Sequence, residues 1–222
     1  MSDHEGDARD GHGPWVSGPP REVIEALPEL NEFCFQVLAE QARAGSPHRA
    51  AQQIAEGWLA LDAPARRRVA AYPYLLFDAG FADPHRWQNL DLARQVNDPP
   101  PEAACERVFT VTRAVTATEL VFVYAWSLAR RHAVQARLAL GMHPLCAEWI
   151  GAHSVLRAHQ LGRRLWMWLR PRWLNSPEFW EELLQGAAEG GVAHQRARIQ
   201  GMRLLAAETA AALRQSGHEE PD

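Results

Sequence analysis

Ten histidines and three cysteines are the side chains of this sequence that a metal ion would use. His143 and Cys146 lie three residues apart, a spacing that places both on one face of a helix. A structural zinc site needs four such ligands in paired clusters, and the sequence offers no second pair. His153 and His159 are six residues apart and fall on different helix faces. We therefore expect neither a bound metal nor another cofactor.

Motifs for catalysis are missing as well. The sequence contains no G-x-S-x-G elbow, no G-x-x-x-x-G-K phosphate loop and no H-E-x-x-H pair. The adjacent Glu181 and Glu182 point in different directions near a predicted helix start, where the helix dipole by itself favours acidic residues. The sequence thus predicts a protein that is not an enzyme.

Arginine is the residue type whose distribution points to a binding role. All 23 basic residues are arginine, which keeps its charge, forks onto phosphates and stacks on aromatic rings. Residues 127–175 hold eight arginines and one acidic residue, Glu148, so this segment carries +7 although the whole chain carries −4. The segment is expected to meet an anionic partner or an acidic protein surface, which can belong to this same chain.

The segment RRLWMWLRPRWLNSPEFW at 163–180 combines four tryptophans with four of these arginines. Trp166 and Trp168 alternate with leucine and methionine, so both faces of the segment are apolar. A segment lying on a membrane needs one polar face. The pattern therefore favours burial of the tryptophans in a core or an interface.

Composition indicates a globular protein without a membrane anchor. The 222 residues suffice for one large domain or two small ones. No run approaches the ~18 apolar residues that a membrane span needs, and the polar, acidic N-terminus is not a secretory signal. Cys34, Cys105 and Cys146 form no paired motif and are expected to be reduced core residues. These features predict a cytoplasmic protein.

Helical periodicity runs through nearly the whole chain and predicts an all-α fold, a helical bundle. The predicted helices begin near residues 21, 48, 63, 84, 105, 133, 143, 155, 177 and 192. Predicted N-caps are Asp62, Ser154 and Ser176, and Gly141 marks a helix end. The run YLLFDAGF at 74–81 is strand-like in residue type but stands alone, so buried helix or loop is preferred.

Proline placement suggests a division of the chain. NDPPPEAA at 97–104 has three prolines after two turn-forming residues and is the best boundary candidate. We therefore expect a disordered tail at 1–20, an N-terminal helical region at 21–98 and a second helical domain at 99–216.

The predicted helix at 105–131 contains the most apolar stretch, VTATELVFVYAW at 115–126. A buried helix is preferred because the pattern exceeds normal strand length, with a strand as the alternative. The stretch is too apolar for a helix with one exposed side, which predicts a dimer helix. The candidate interface residues are Val115, Leu120, Phe122, Tyr124, Trp126, Trp166 and Trp168.

Two predicted helices at 143–152 and 155–164 surround a short polar turn. In a helix–turn–helix protein the second helix would offer its arginines to the DNA groove. A plain helical hairpin with a solvated arginine face is the reading that spacing alone favours, because the turn lacks further signature residues. The candidate DNA contacts are Arg157, Arg163, Arg164, Arg170 and Arg172.

The segment AWSLARRHAVQARLALGMHPLCAEWIGAHSVLRAHQLGRRLWMWLRPRW at 125–173 resembles FlhD, a subunit of the flagellar master transcription regulator. The shared features are a Leu-Gly-Met turn at 140–142, an Ile-Gly-Ala step at 150–152 and an apolar-basic-aromatic end at 169–173. The match has no gap within this segment, and the last predicted helix also fits the family pattern. The resemblance therefore extends over about 115–213.

The resemblance implies a dimeric, all-helical protein that joins an FlhC subunit and activates transcription, with the zinc of that complex held by FlhC. The chain departs from the family in its length, about twice the usual one, and in lacking the cysteine that links family protomers. Two functions remain open. One is an FlhD-like regulator that acts on DNA directly or through a partner subunit; the other is an adaptor or scaffold for flagellar or secretion machinery without DNA contact.

Overall fold

The computed structural model describes residues 21–88 and 108–216, and helices dominate both ranges. The helices are α1 (Arg21–Ala44), α2 (Arg49–Ala60), α3 (Ala63–Ala70), α4 (Pro84–Gln88), α5 (Arg113–Arg131), α6 (Ala133–Leu140), α7 (Pro144–Gly151), α8 (Val155–Arg164), α9 (Pro177–Glu189) and α10 (Gly191–Ser216). Two short strands, β1 (Phe77–Asp78) and β2 (Arg170–Pro171), pair antiparallel. The predicted all-α class is confirmed. The predicted tail at 1–20 and the boundary at 97–104 lie outside the described residues.

Most predicted helix ends match the structure because local side chains fix them. The Asp62 carboxylate accepts from the amide of Ala65 at 2.7 Å, and the Ser154 hydroxyl accepts from that of Arg157 at 3.2 Å. Gly141 ends α6 in the left-handed conformation at φ 61°. Ser176 is the N-cap residue of α9, as predicted, but its side chain accepts no hydrogen bond from the helix amides.

Helix α5 is the centre of the bundle, and it is shorter than predicted. Residues 115–126 are helical, so the preferred prediction is confirmed and the alternative of a strand is wrong. The helix nevertheless begins at Arg113 rather than near 105. The side-chain oxygen of Gln41 accepts hydrogen bonds from the amides of Thr110 and Val111. These bonds satisfy the backbone outside the helix, which removes the need for another turn.

One continuous hydrophobic core joins the two ranges that the sequence suggested as separate. The ring of Phe35 stacks on Trp58 at 4.3 Å and meets Trp180 edge-on at 6.0 Å between centroids. Arg68 Nε donates to the carbonyl of Ala187 at 2.6 Å. Helix α1 also packs along α5. Residues 21–88 and 108–216 therefore share a core.

The strand-like run at 74–81 is mostly a buried loop, as one of the two preferred alternatives predicted, but it does not stand alone, because Phe77 and Asp78 form β1 and pair with β2. The buried Asn31 holds it in place, because its amide nitrogen donates to the carbonyls of Ala70 and Tyr74, both at 3.1 Å. Its amide oxygen accepts from the amide of Leu76 at 2.8 Å. This side chain supplies part of the hydrogen bonds that a helix would provide, and the Ala139 carbonyl and Arg172 supply others.

Helices α7 and α8 each pack against α5 rather than against each other. Helix α8 runs antiparallel to α5, since Gly162 lies beside Thr118 and Glu119 while Trp126 Nε1 donates to the carbonyl of His153 at 2.8 Å. The pair is therefore not held together as the two helices of a helix–turn–helix unit are.

Gly162 should be intolerant of a larger side chain. A Cβ there would lie 2.6 Å from the Cα of Glu119 and 2.8 Å from the carbonyl oxygen of Thr118, both backbone atoms. We expect Gly162→Ala to lower the free energy of unfolding by about 1–3 kcal/mol, as overpacking does. Urea denaturation followed by circular dichroism measures the change.

Gly151→Ala is the matched control, because its nearest new contact on α5 would be an ordinary 3.5 Å. Alanine is favoured over glycine inside a helix by up to ~1 kcal/mol, so this variant should be neutral or stabilised. Equal unfolding midpoints for the two variants would contradict the prediction that the close approach of α8 to α5 leaves no room for a side chain at position 162.

Candidate protein-interaction surface

Arg172 lies inside the protein and binds parts of it that are far apart in sequence. Its side chain is buried, and Nε donates to the carbonyl of Leu75 at 2.8 Å while Nη2 donates to that of Leu140. Nη1 lies 3.3 Å from a carboxylate oxygen of Glu208 and 3.8 Å from one of Asp78. The prediction that Arg172 contacts DNA is therefore wrong, because no phosphate can reach this guanidinium.

Arg170 belongs to the edge of the same cluster. Its Nη2 lies 3.7 Å from Asp78, and its side chain is about one-third exposed. Burial raises the pKa of Glu208, and the charge of Arg172 partly opposes this rise. Cavities of about 360 and 310 Å³ flank these residues. Because each of these charges faces an opposite charge of the same chain, the cluster is best described as an internal ion-pair network.

Helix α8 carries the three remaining candidate DNA contacts. Arg163 is exposed, whereas Arg157 and Arg164 are half-buried, and Arg157 Nη1 also donates to the Gln160 side chain at 3.4 Å. The antiparallel packing places Arg163 and Arg164 beside the first half of α5. Arg130 and Arg131 lie at the other end of that helix, which is roughly 28 Å long. The +7 segment therefore does not form one continuous basic patch.

Two of the predicted dimer residues of α5, Phe122 and Tyr124, pack inside their own chain. Phe122 is fully buried, with its ring 5.5 Å from those of both Phe81 and Trp87, and Tyr124 is buried too. Both residues pack in the core of their own chain, so their assignment to a dimer interface is wrong. The sequence pattern was correct about burial but could not show that α1, α6, α7 and α8 provide it.

The other predicted interface residues divide between core and surface. Trp168 is buried against Trp87 at 5.7 Å, which excludes it from an interface, and Trp166 is half-buried against the core. Val115 and Trp126 are also half-buried, whereas Leu120 is exposed. The tryptophans therefore pack mainly as core residues.

Reactive and metal-binding groups are scarce in the part of the chain that the structure describes. Burial raises the pKa of both Cys34 and Cys146 to about 12, so neither thiol ionises readily near neutral pH. Within residues 21–88 and 108–216, no three His, Cys, Asp or Glu side chains are grouped for a metal ion. No helix in these ranges is long and apolar enough to span a membrane.

One side of α10 is apolar and faces solvent. This α10 outer face consists of residues seven apart, plus one methionine between them: Val192, Ile199, Met202, Ala206 and Leu213. Val192 is 85% exposed, Ile199 and Met202 are 50% exposed, and Leu213 is 38% exposed. The opposite side of the helix packs on the protein through Ala197, Gly201, Leu205 and Ala212. The heptad spacing is visible in the sequence and is the signal that could have indicated this face.

The α10 outer face has a basic border. Arg196 and Arg203 are exposed and, being seven residues apart, lie along one edge of it; neither has an ion-pair partner among the described residues. Residues 191–207 include no acidic side chain. The face therefore offers apolar contacts flanked by positive charge.

A second surface feature is a groove between α2 and α9, called the acidic groove below. Ile54, Trp180 and Leu184 form its apolar floor, and the exposed Glu56 and Glu181 stand at its edges. Its volume is about 570 Å³.

The chain matches no protein-family model, no curated protein and no solved structure. The resemblance to FlhD over about 115–213 therefore stays a prediction.

Arg172→Met should destabilise the fold strongly. The substitution leaves the Leu75 and Leu140 carbonyls and the carboxylates of Asp78 and Glu208 without their buried donor. Breaking such a pair from one side costs about 3–5 kcal/mol. Urea denaturation of the variant measures the loss.

Arg170→Met provides the comparison, because it removes a partly exposed charge from the same cluster. We expect a change of about 1 kcal/mol or less, as is usual for exposed ion pairs. Similar losses for both variants would contradict the central role of Arg172.

Proposed function

We propose that the protein is a non-catalytic adaptor that binds another protein chain through the α10 outer face. Its setting would be a cytoplasmic assembly such as flagellar or secretion machinery. The observation that carries the proposal is the row of exposed apolar side chains along one face of a single long helix.

The spacing of these side chains supports pairing with another helix. Val192, Ile199, Ala206 and Leu213 repeat every seven residues, and Met202 adds an intermediate position. This is the spacing that lets one helix insert side chains between those of another. The row extends over roughly 32 Å of helix. Single exposed apolar residues are common, but a contiguous row is typical of an interaction site.

The rigid support of α10 also favours a docking role. Glu208 ties the helix to Arg172, and Gly201 lets it approach Tyr74 closely. A partner would therefore meet an ordered surface and would not need to order it on binding.

A second candidate is an FlhD-like transcription regulator, which would bind DNA through α8 or through an FlhC-like subunit. Three arginines on one helix favour it: Arg157, Arg163 and Arg164. Arginine is suited to phosphate contacts. We place this candidate second because Arg170 and Arg172 are engaged inside the chain.

The adaptor proposal predicts that Ile199→Asp with Met202→Asp abolishes partner binding. Charges in the centre of an apolar contact should weaken it at least tenfold, about 1.4 kcal/mol or more. The measurement is quantitative recovery, by affinity purification from the native host, of a partner first identified with the wild-type chain. Val134→Asp with Leu138→Asp on α6 is the matched control, because both residues are exposed apolar side chains on another helix. If only the control variant loses the partner, the binding site lies on α6 and not on α10.

The regulator candidate predicts DNA binding that depends on α8. Fluorescence anisotropy with a short labelled duplex should give an affinity that falls with salt, with a logarithmic slope of about −2.7 for three phosphate contacts. The triple variant Arg157→Ala, Arg163→Ala and Arg164→Ala should lose this binding. Arg196→Ala with Arg203→Ala on α10 should keep it. The absence of any salt-dependent binding by the wild-type chain would exclude direct DNA contact.

A further inference from the structure

We propose that the chain binding the α10 outer face is a second copy of this protein, which receives the face in its acidic groove. The inference rests on the proposed function of the α10 outer face as a protein-binding surface. It identifies the partner and makes the protein a self-assembling scaffold.

The shape of the acidic groove suits a helix. Its walls are the neighbouring helices α2 and α9, and an amphipathic helix commonly binds by laying its apolar face into such a groove. The floor residues Ile54, Trp180 and Leu184 would contact the apolar side chains of the α10 outer face. A volume of about 570 Å³ leaves room for several of them. Gly57 contributes to the shape of the wall, since a Cβ there would lie 2.5 Å from Leu184 Cδ1.

The two surfaces carry opposite charges. Helix α9 contains four glutamates and no basic residue, and all four are exposed: Glu178, Glu181, Glu182 and Glu189. Glu56 adds a fifth acid from α2. Of these acids, Glu56 and Glu181 line the groove. Across the proposed contact their carboxylates would meet Arg196 and Arg203, which lack ion-pair partners among the described residues. Such complementarity fixes the orientation of a contact and selects the partner.

Pairing of two α10 helices with each other fits the charges less well. It would bring the Arg196 and Arg203 side chains of both copies towards one interface. Glu208 is the only acid of α10, and it is already engaged by Arg172. Like charges facing each other disfavour the symmetric pair, whereas the acidic groove neutralises them.

The groove that receives α10 must come from another copy. Helix α10 already packs on α9 of its own chain through its opposite side, where a Cβ on Gly186 would lie 2.9 Å from the Ala193 carbonyl oxygen. The α10 outer face therefore points away from its own α9. Because the donor and acceptor surfaces differ, each copy can both insert a helix and receive one. Contacts of this head-to-tail kind produce rings or filaments.

The test is sedimentation velocity of the full chain at increasing concentration. The wild-type chain should self-associate, whereas Arg196→Glu with Arg203→Glu should be monomeric, as should Glu56→Arg with Glu181→Arg. Each change places like charges across the contact and should weaken association at least tenfold. An equimolar mixture of the two variants should associate again, because the reversed charges of one variant match those of the other. All substituted residues are surface residues, so circular dichroism should be unchanged.

Arg131→Glu with Arg137→Glu is the control, since both arginines are exposed elsewhere on the chain and this variant should assemble like the wild type. A wild-type chain that stays monomeric would overturn the inference. So would charge variants that assemble normally, or a mixture that stays monomeric.

A peptide separates failure of this inference from failure of the proposed function. The probe is a designed helix with apolar residues at heptad spacing and glutamates at its flanks. If the wild-type chain is monomeric but binds the peptide, and Ile199→Asp with Met202→Asp abolishes that binding, the α10 outer face still binds proteins and only the second copy is excluded. If the peptide does not bind either, both proposals fall.

Discussion

The arrangement of the C-terminal helices depends on the hydrogen bonds and ion pairs that one buried arginine, Arg172, requires. A guanidinium has five donors and keeps its charge, so burying it requires acceptors on several sides. Arg172 finds them in the Leu75 carbonyl before β1, the Leu140 carbonyl at the end of α6 and the carboxylates of Asp78 and Glu208. These acceptors come from three separate parts of the chain: the loop at 74–81, the end of α6 and helix α10. These parts therefore have to assemble together, because leaving any one out would leave the buried charge short of partners.

This constraint extends to the surface through α10. Glu208 is the point at which that helix joins the arginine cluster, and the small residues Gly141 and Gly201 allow the helix to lie close to it. A Cβ on Gly141 would come within 2.7 Å of Leu205 Cδ1, and one on Gly201 within 1.8 Å of the Tyr74 hydroxyl. With one side of α10 held in this way, the direction of the opposite side is fixed. The position of the α10 outer face is thus a consequence of core packing.

Sequence patterns predicted what is local and failed where a partner had to be identified. Caps such as Asp62 and Ser154 act within one helical turn, so their residue types sufficed. The apolarity of α5 correctly indicated burial, but it could not tell whether the covering helices belong to the same chain. Arg172 was assigned to the surface because charged side chains usually lie there, and its acceptors are up to 97 residues away in sequence.

Net charge along the sequence was a poor guide to charge on the surface. Residues 127–175 carry +7, but the structure buries one of those arginines, pairs another with Asp78 and distributes others between the two ends of α5. The charges that border the α10 outer face, Arg196 and Arg203, lie outside that segment. They matter because they flank exposed apolar side chains, where desolvation strengthens a charge contact. Clustering of charge in sequence indicates attraction to an opposite charge only when the fold keeps the cluster together. Here the fold does so for the glutamates of α9 and the arginines of α10, and not for the segment with the highest count.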